Sequence, residues 1–199
     1  MGRVFRAGVS LIVVGLWPCL APSQKTQNSA SSGKNELTLS IILEKEHYSS
    51  GDKIFTRTKF TNVSRTTLCF PQPSPEEIAA WLGVLRTTVT PPTSGQEEEY
   101  FLDIFDGGGT WPREKLLHEI KERWIWLRPT ESYVTKSVRV RTKLSSPGQW
   151  RINVTYRPPE GSFHPAEYRR YLGSAAESVG CALPQAETAA DPVSFSVSQ

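Results

Sequence analysis

Trp150, Ile152, Val154 and Tyr156 alternate with Arg151, Asn153, Thr155 and Arg157. Side chains on a strand point to opposite faces with a period of two, so this stretch predicts a half-buried strand. Pro147-Gly148 ahead of it is a turn signal. The same alternation recurs along the chain. Leu37, Leu39, Ile41 and Leu43 predict a first strand. Lys53 to Val63 predicts a second, with Ile54, Thr56, Thr58 and Phe60 on one face and Arg57, Lys59 and Thr61 on the other. Thr67 to Phe70, Val84 to Val89 and Tyr100 to Phe105 predict further short strands. Val138 and Val140 share a face within Tyr133 to Lys143, and Val193, Phe195 and Val197 form a last strand.

Other stretches lack this alternation. Trp124, Ile125, Trp126 and Leu127 are apolar on both faces, as in a covered strand. Pro71 to Pro75 breaks regular structure, and Pro75 to Trp81 suits a short helical turn. Thr110 is placed to cap a helix from about Pro112 to Glu122, with Leu116, Leu117 and Ile120 on one face. Pro165 to Leu172 also reads as helix, and Gly173 to Thr188 as loop. Many strands separated by turns, with few helices, predict an all-β sandwich or barrel.

The first residues read as a leader. Arg3 and Arg6 precede an apolar run, Ala7 to Trp17, too short to span a bilayer comfortably. Small residues at Ala21-Pro22-Ser23 predict cleavage after Ser23; an uncleaved membrane anchor is the alternative, and Pro18 before Cys19 argues against lipidation. Residues 24–35 are a polar linker, and 36–199 one domain. No second apolar run is long enough to span. Removing the leader removes Arg3 and Arg6 and no acid, leaving 21 basic against 20 acidic residues. That balance is a poor one for sequence-independent nucleic-acid binding. Only Cys69 and Cys181 survive cleavage. In an exported chain such a pair predicts a disulfide; two buried free thiols are the alternative.

Four corner sequences carry a resemblance. Ser49 to Ser64 reads Ser-Ser-Gly-Asp-Lys-Ile-Phe-Thr-Arg-Thr-Lys-Phe-Thr-Asn-Val-Ser, and Leu127 to Ser132 reads Leu-Arg-Pro-Thr-Glu-Ser. Ser146-Pro147-Gly148-Gln149-Trp150 with Tyr156, and Asp191-Pro192-Val193-Ser194-Phe195, complete the set. Together they resemble bacterial exported immunoglobulin-like domains over about 36–199. Thr130 stands where that pattern has Gly, and Trp150 where it has Tyr. The resemblance implies an immunoglobulin-like antiparallel β-sandwich with one or two short helical insertions. It also implies a tyrosine-corner role for Trp150, its indole nitrogen donating to upstream backbone; simple core filling is the alternative. A related pattern occurs in an intracellular bacterial proteinase inhibitor, a location the leader opposes.

Candidate chemistry is sparse. His47, His118 and His164 fall in a turn, a helix and a loop, without metal-ligand spacing. Ser162 beside His164 lacks a nucleophile-elbow turn. Glu97 to Glu99, Asp103 and Asp106 lack a calcium-loop pattern, and Gly107 to Gly109 lacks the Lys-Ser or Lys-Thr of a phosphate loop. Asn62-Val-Ser64 and Asn153-Val-Thr155 are glycosylation sequons, meaningful only in a eukaryotic secretory path. Trp111, Trp124 and Trp126 cluster in sequence, with Trp81 apart, and form the candidate ligand platform. The chain is therefore read as an exported, non-enzymatic interaction or structural module, without catalytic residues, metal or cofactor. Its expected partner is a protein or glycan outside the cytoplasm. The alternatives are a carbohydrate- or peptide-binding module using Trp111, Trp124 and Trp126, and a proteinase inhibitor acting through Pro71 to Pro75. A hydrolase ranks last.

Overall fold

The computed structural model describes residues 36–72, 85–92, 98–101, 111–140, 142–159 and 165–199. The leader, the linker, Trp81, the acidic and glycine stretches from 102 to 110, and the Ser162–His164 pair lie outside these.

Alternation builds the first sheet. β1 (Leu37–Leu43) pairs antiparallel with β3 (Ile54–Asn62), Leu39 opposite Phe60 and Ile41 opposite Thr58. β8 (Ser132–Val134) and β9 (Val138–Val140) line the other edge of β3. The second sheet runs β2 (His47–Ser49), β12 (Val193–Ser198), β10 (Gly148–Tyr156), β5 (Leu85–Thr90), β6 (Glu98–Phe101), with β11 (Thr188–Ala189) also on β10. β2 is parallel to β12 and the other named strand pairs are antiparallel. The chain therefore crosses from one sheet to the other between β1 and β2.

The inward residues of both sheets meet in one core. Leu37, Ile54 and Phe60 from one side pack with Trp150, Ile152, Val154, Tyr156 and Phe195 from the other. Ile152 and Val154 are buried while Arg151 is exposed, the register that the alternation requires. This is an immunoglobulin-like antiparallel β-sandwich, carrying helices α1 (Arg113–Arg123) and α2 (Pro165–Ser178).

The corner sequences have physical work to do. Gly148 sits at φ 132°, and a Cβ there would lie 2.9 Å from Pro92 Cβ. Only glycine fits that position. Two residues on, the Trp150 indole N–H donates to Ser146 O at 3.0 Å, so this ring ties the strand to upstream backbone and also fills the core. Asn62 does more. Its fully buried side-chain amide donates to Thr66 O and Leu127 O, both at 2.8 Å. Its Oδ1 accepts from Ser64 N and Ser64 Oγ, again at 2.8 Å. Its main chain accepts from Thr130 N at 2.9 Å and donates to Glu131 O at 3.0 Å. With both amide protons committed and no exposure, Asn62 is a corner residue and no glycan acceptor.

Five local expectations change. Tyr133 to Lys143 is two strands, because Thr135 turns inward and exchanges bonds with Thr58: its N–H donates to Thr58 O and its Oγ1 accepts from Thr58 N, both at 2.9 Å. His47 lies on a strand, with Nδ1 2.5 Å from Ser196 Oγ, because the parallel ladder to β12 captures this short segment. Pro71 ends the strand β4 (Leu68–Pro71) and is buried, so the break in regular structure comes later than Pro71. Pro112, rather than Thr110, occupies the N-cap of α1, with no side-chain cap bond. Gly173 does not end α2, and the supposed loop supplies another helical turn and β11.

Tyr156, like Tyr48, carries a buried hydroxyl in this core with no hydrogen-bond partner among the described residues. The Tyr156 ring packs edge-on against Phe60 and Phe70. Burial pushes the phenol far above the usual tyrosine range; Arg169 nearby opposes this and Glu36 adds to it.

Two predictions follow from the core and its corner. Asn62→Ala should destabilise the chain by roughly 3 kcal/mol or more in denaturant titration, since it strands buried carbonyls and a buried donor. A loss under about 1 kcal/mol would mean water replaces the amide. Tyr156→Phe should stabilise by about 1 kcal/mol at neutral pH, by removing an unsatisfied buried hydroxyl. The phenol pKa is raised on folding, so its contribution is intact below the unfolded tyrosine pKa of about 10 and is lost as pH rises beyond it. The wild type should therefore lose stability more steeply than Tyr156→Phe above about pH 10. Parallel alkaline profiles would contradict this assignment.

Candidate functional site: a cross-linked aromatic cap

A two-stranded ribbon positions this site. β4 (Leu68–Pro71) pairs antiparallel with β7 (Trp124–Leu127). The period of two divides their side chains. Leu68, Phe70, Ile125 and Leu127 enter the sandwich core. Cys69, Trp124 and Trp126 face the other way, into a second and smaller cluster. The ribbon is thus apolar on both faces because both faces are covered, as the Trp124 to Leu127 run predicts.

The helices cover the second face. α1 contributes Leu116 and Ile120, four residues apart and so on one stripe. α2 contributes Leu172, Ala175 and Ala176, and the chain beyond it adds Cys181 and Leu183. Trp126 donates its indole N–H to Ile120 O at 2.9 Å, satisfying a carbonyl near the open end of α1. Tyr171 donates its hydroxyl to Trp111 O at 2.7 Å and so ties α2 to the entry of α1. Lys115 Nζ sits 4.8 Å from the centre of the Trp111 ring, within cation–π range. Glu119, buried at the edge of this cap, pairs with Arg123 at 3.5 Å across one turn.

A disulfide fastens the cap to the ribbon. Cys69 and Cys181 are bonded, with Cα atoms 5.7 Å apart and a sequence separation of 112. The chain at Cys181 is also stitched beside β4. Cys69 N donates to Ala182 O at 2.8 Å, and Ala182 N to Thr67 O at 2.9 Å. Neither cysteine is a free buried thiol.

All three predicted platform tryptophans converge here. Trp111, Trp124 and Trp126 are each partly buried against the cluster, and so are Tyr168 and Tyr171. The two tyrosines escaped sequence reasoning, although Tyr168, Leu172, Ala175 and Ala176 already repeat at helical spacing. What the cap offers chemically is stacking area beside ammonium and hydroxyl groups. His118 is exposed on α1, and His164 lies outside the described residues. Among the described residues, no group of three or more His, Cys, Asp or Glu side chains is placed to hold a metal ion. No helix among them is long and apolar enough to cross a membrane.

No protein-family model matches the chain, and no curated protein matches it. Solved structures resemble it distantly. The CARDB domain of the PF1109 protein from Pyrococcus furiosus is 12% identical, with 84% of this chain and 97% of that one aligned at a TM-score of 0.35. A β-glucosidase from Listeria innocua is 10% identical at a TM-score of 0.38; 85% of this chain is aligned, but it spans only 17% of the enzyme. The sporulation control protein of Bacillus subtilis is 9% identical, with 82% of this chain and 50% of that one aligned at a TM-score of 0.37.

The cap generates one prediction. A Cys69→Ser/Cys181→Ser chain should be less stable by up to roughly 4.7 kcal/mol, the chain-entropy value for so long a loop. In hydrogen–deuterium exchange, α1 and α2 should lose protection while β3 and β10 keep theirs, because the smaller cluster has little else to hold it. A uniform loss across all elements would show that the cap and sandwich unfold as one unit.

Proposed function

We propose that this chain is an exported, non-catalytic binding module whose partner docks on the aromatic cap. One observation supports the reading above others. Trp111 ahead of α1, Trp124 and Trp126 on β7, and Tyr168 and Tyr171 on α2 are gathered at partial exposure in one cap that a disulfide fastens to the sandwich. Stacking rings fixed in advance lose little conformational freedom when a ligand binds. A disulfide fits an oxidising compartment, and so agrees with the leader-like start of the chain. Lys115 beside Trp111 sets a polar contact next to an aromatic face, an arrangement that serves peptide or glycan recognition.

The test uses the exported fraction of the source cell. Intact protein carrying a photo-cross-linker at position 115 should form a discrete adduct with one partner. Trp111→Ala in the same chain should reduce that adduct at least about tenfold, as expected when an aromatic anchor is truncated. Its thermal midpoint should stay near that of wild type. An adduct unaffected by Trp111→Ala would reject the cap as the docking surface.

A further inference from the structure

The outer face of the first sheet has a different character from the cap. Alternation on β3 sends Phe55, Arg57 and Lys59 outward, and exposed Lys53 stands just ahead of the strand. On one side the register places Ile42 opposite Arg57. On the other it places Val134 opposite Lys59 and Arg139 opposite Phe55. Lys53, Arg57, Lys59 and Arg139 therefore share one face, with Phe55, Ile42 and Val134 set between them. Exposed Lys136 lies in the connection between β8 and β9. The Glu44 carboxylate borders the face and accepts from Ser137 Oγ at 2.6 Å, and Asp52, beside Lys53 in sequence, pairs with Lys45.

None of these cations takes part in an ion pair among the described residues; those pairs are Lys45–Asp52, Glu119–Arg123 and Arg157–Glu187. The chain beyond the leader carries nearly equal numbers of bases and acids. A face with this excess of cations is thus a segregation of charge, where an ordinary solvated surface mixes both signs. Val134 is also 40% exposed, one of the few large apolar side chains so open to water among the described residues.

We propose that this face docks on an anionic bilayer surface, its cations meeting lipid phosphates and its apolar side chains touching the headgroup boundary. The charge complementarity supplies attraction, since each Lys or Arg near such a surface strengthens binding roughly fivefold. The interleaved Phe55, Ile42 and Val134 favour a lipid interface over a purely polar polyanion, because shallow apolar contact adds to the electrostatic term there. A broad sheet face also lets several cations reach one surface at once.

The experiment is co-sedimentation of the full chain with vesicles of phosphatidylcholine alone or mixed equally with phosphatidylglycerol. The leader carries Arg3 and Arg6, so wild type and all variants are compared in an Arg3→Gln/Arg6→Gln background, and the readout is the preference for the anionic vesicle. Wild type should prefer it by about a hundredfold in affinity at low salt, and the preference should fall as salt rises. Arg57→Glu/Lys59→Glu/Arg139→Glu should abolish the preference, whereas Arg151→Glu on the opposite sheet should keep it. If the triple variant misfolds by circular dichroism, Arg57→Gln/Arg139→Gln alters only exposed residues and should reduce the preference more than tenfold. A wild type without preference, a variant that retains it, or binding to heparin beads without vesicle preference would each overturn the proposal.

Discussion

The buried amide of Asn62 is the point on which the corners of this sandwich converge. It ends β3, where a strand must stop and its backbone must still find partners. Its side chain takes the carbonyls of Thr66 and Leu127, so it joins β3 to the start of β4 and the end of β7. Its backbone bonds to Thr130 and Glu131, so it also fixes the turn from β7 into β8. Glu131 completes that turn by accepting from Arg128 N at 2.8 Å. Two sequence motifs more than sixty residues apart, Thr-Asn-Val-Ser and Leu-Arg-Pro-Thr-Glu-Ser, thus describe two halves of one hydrogen-bonded corner. Neither motif carries chemistry beyond the fold, and this is why their resemblance to exported immunoglobulin-like domains speaks of architecture alone.

That corner also explains how the cap is held. The β4–β7 ribbon begins and ends on Asn62, and its two faces look into different clusters. One face is a wall of the sandwich core. The other is the floor of the helical cap. Small changes at the ribbon therefore reach both clusters, and Cys69, on the cap side, is placed where a cross-link fixes α2 to the wall rather than to a loop. Ala175 and Ala176 let the end of α2 come close, and Cys181 N returns to Ala176 O at 3.1 Å just past Gly180, at φ 93°. The helix stop, the close approach and the disulfide all lie within one turn of chain.

Most of the sandwich was legible because alternation is a strong signal when one face is wet. β1, β3, β10 and β12 obey it nearly residue for residue. What escaped was set by distant pairing. β2 and β11 are too short for a period, and exist because β12 and β10 offer them open edges. The Tyr133 to Lys143 strand divides at Thr135, whose inward hydroxyl only makes sense beside Thr58. Gly173 looked like a helix end, yet both sides of it are helical, and burial of Leu172 and Ala175 outweighs the roughly 1 kcal/mol that a glycine costs a helix. At the cap, the tryptophans were legible as a sequence cluster. Their joining with Tyr168 and Tyr171 was not, since that depends on α2 packing against α1.

The two departures from the immunoglobulin-like pattern have opposite energetic signs. Trp150 replaces a tyrosine and keeps the function of one: a larger ring fills the core while its N–H still reaches Ser146 O. Thr130 replaces a glycine and adopts φ 68°, the left-handed region where an L side chain costs about 1–2 kcal/mol and a β-branched one is rarely found. The turn does not relax away from that strain because Thr130 and the residue after it are both bound through their N–H groups. Thr130 N donates to Asn62 O, and Glu131 N donates to Arg128 O at 3.0 Å. Leaving the left-handed region would break the first of these and disturb the buried amide behind it. The strain at Thr130 is therefore sustained by the Asn62 network, and the tolerance of this corner for a non-glycine residue depends on how many bonds converge on one asparagine.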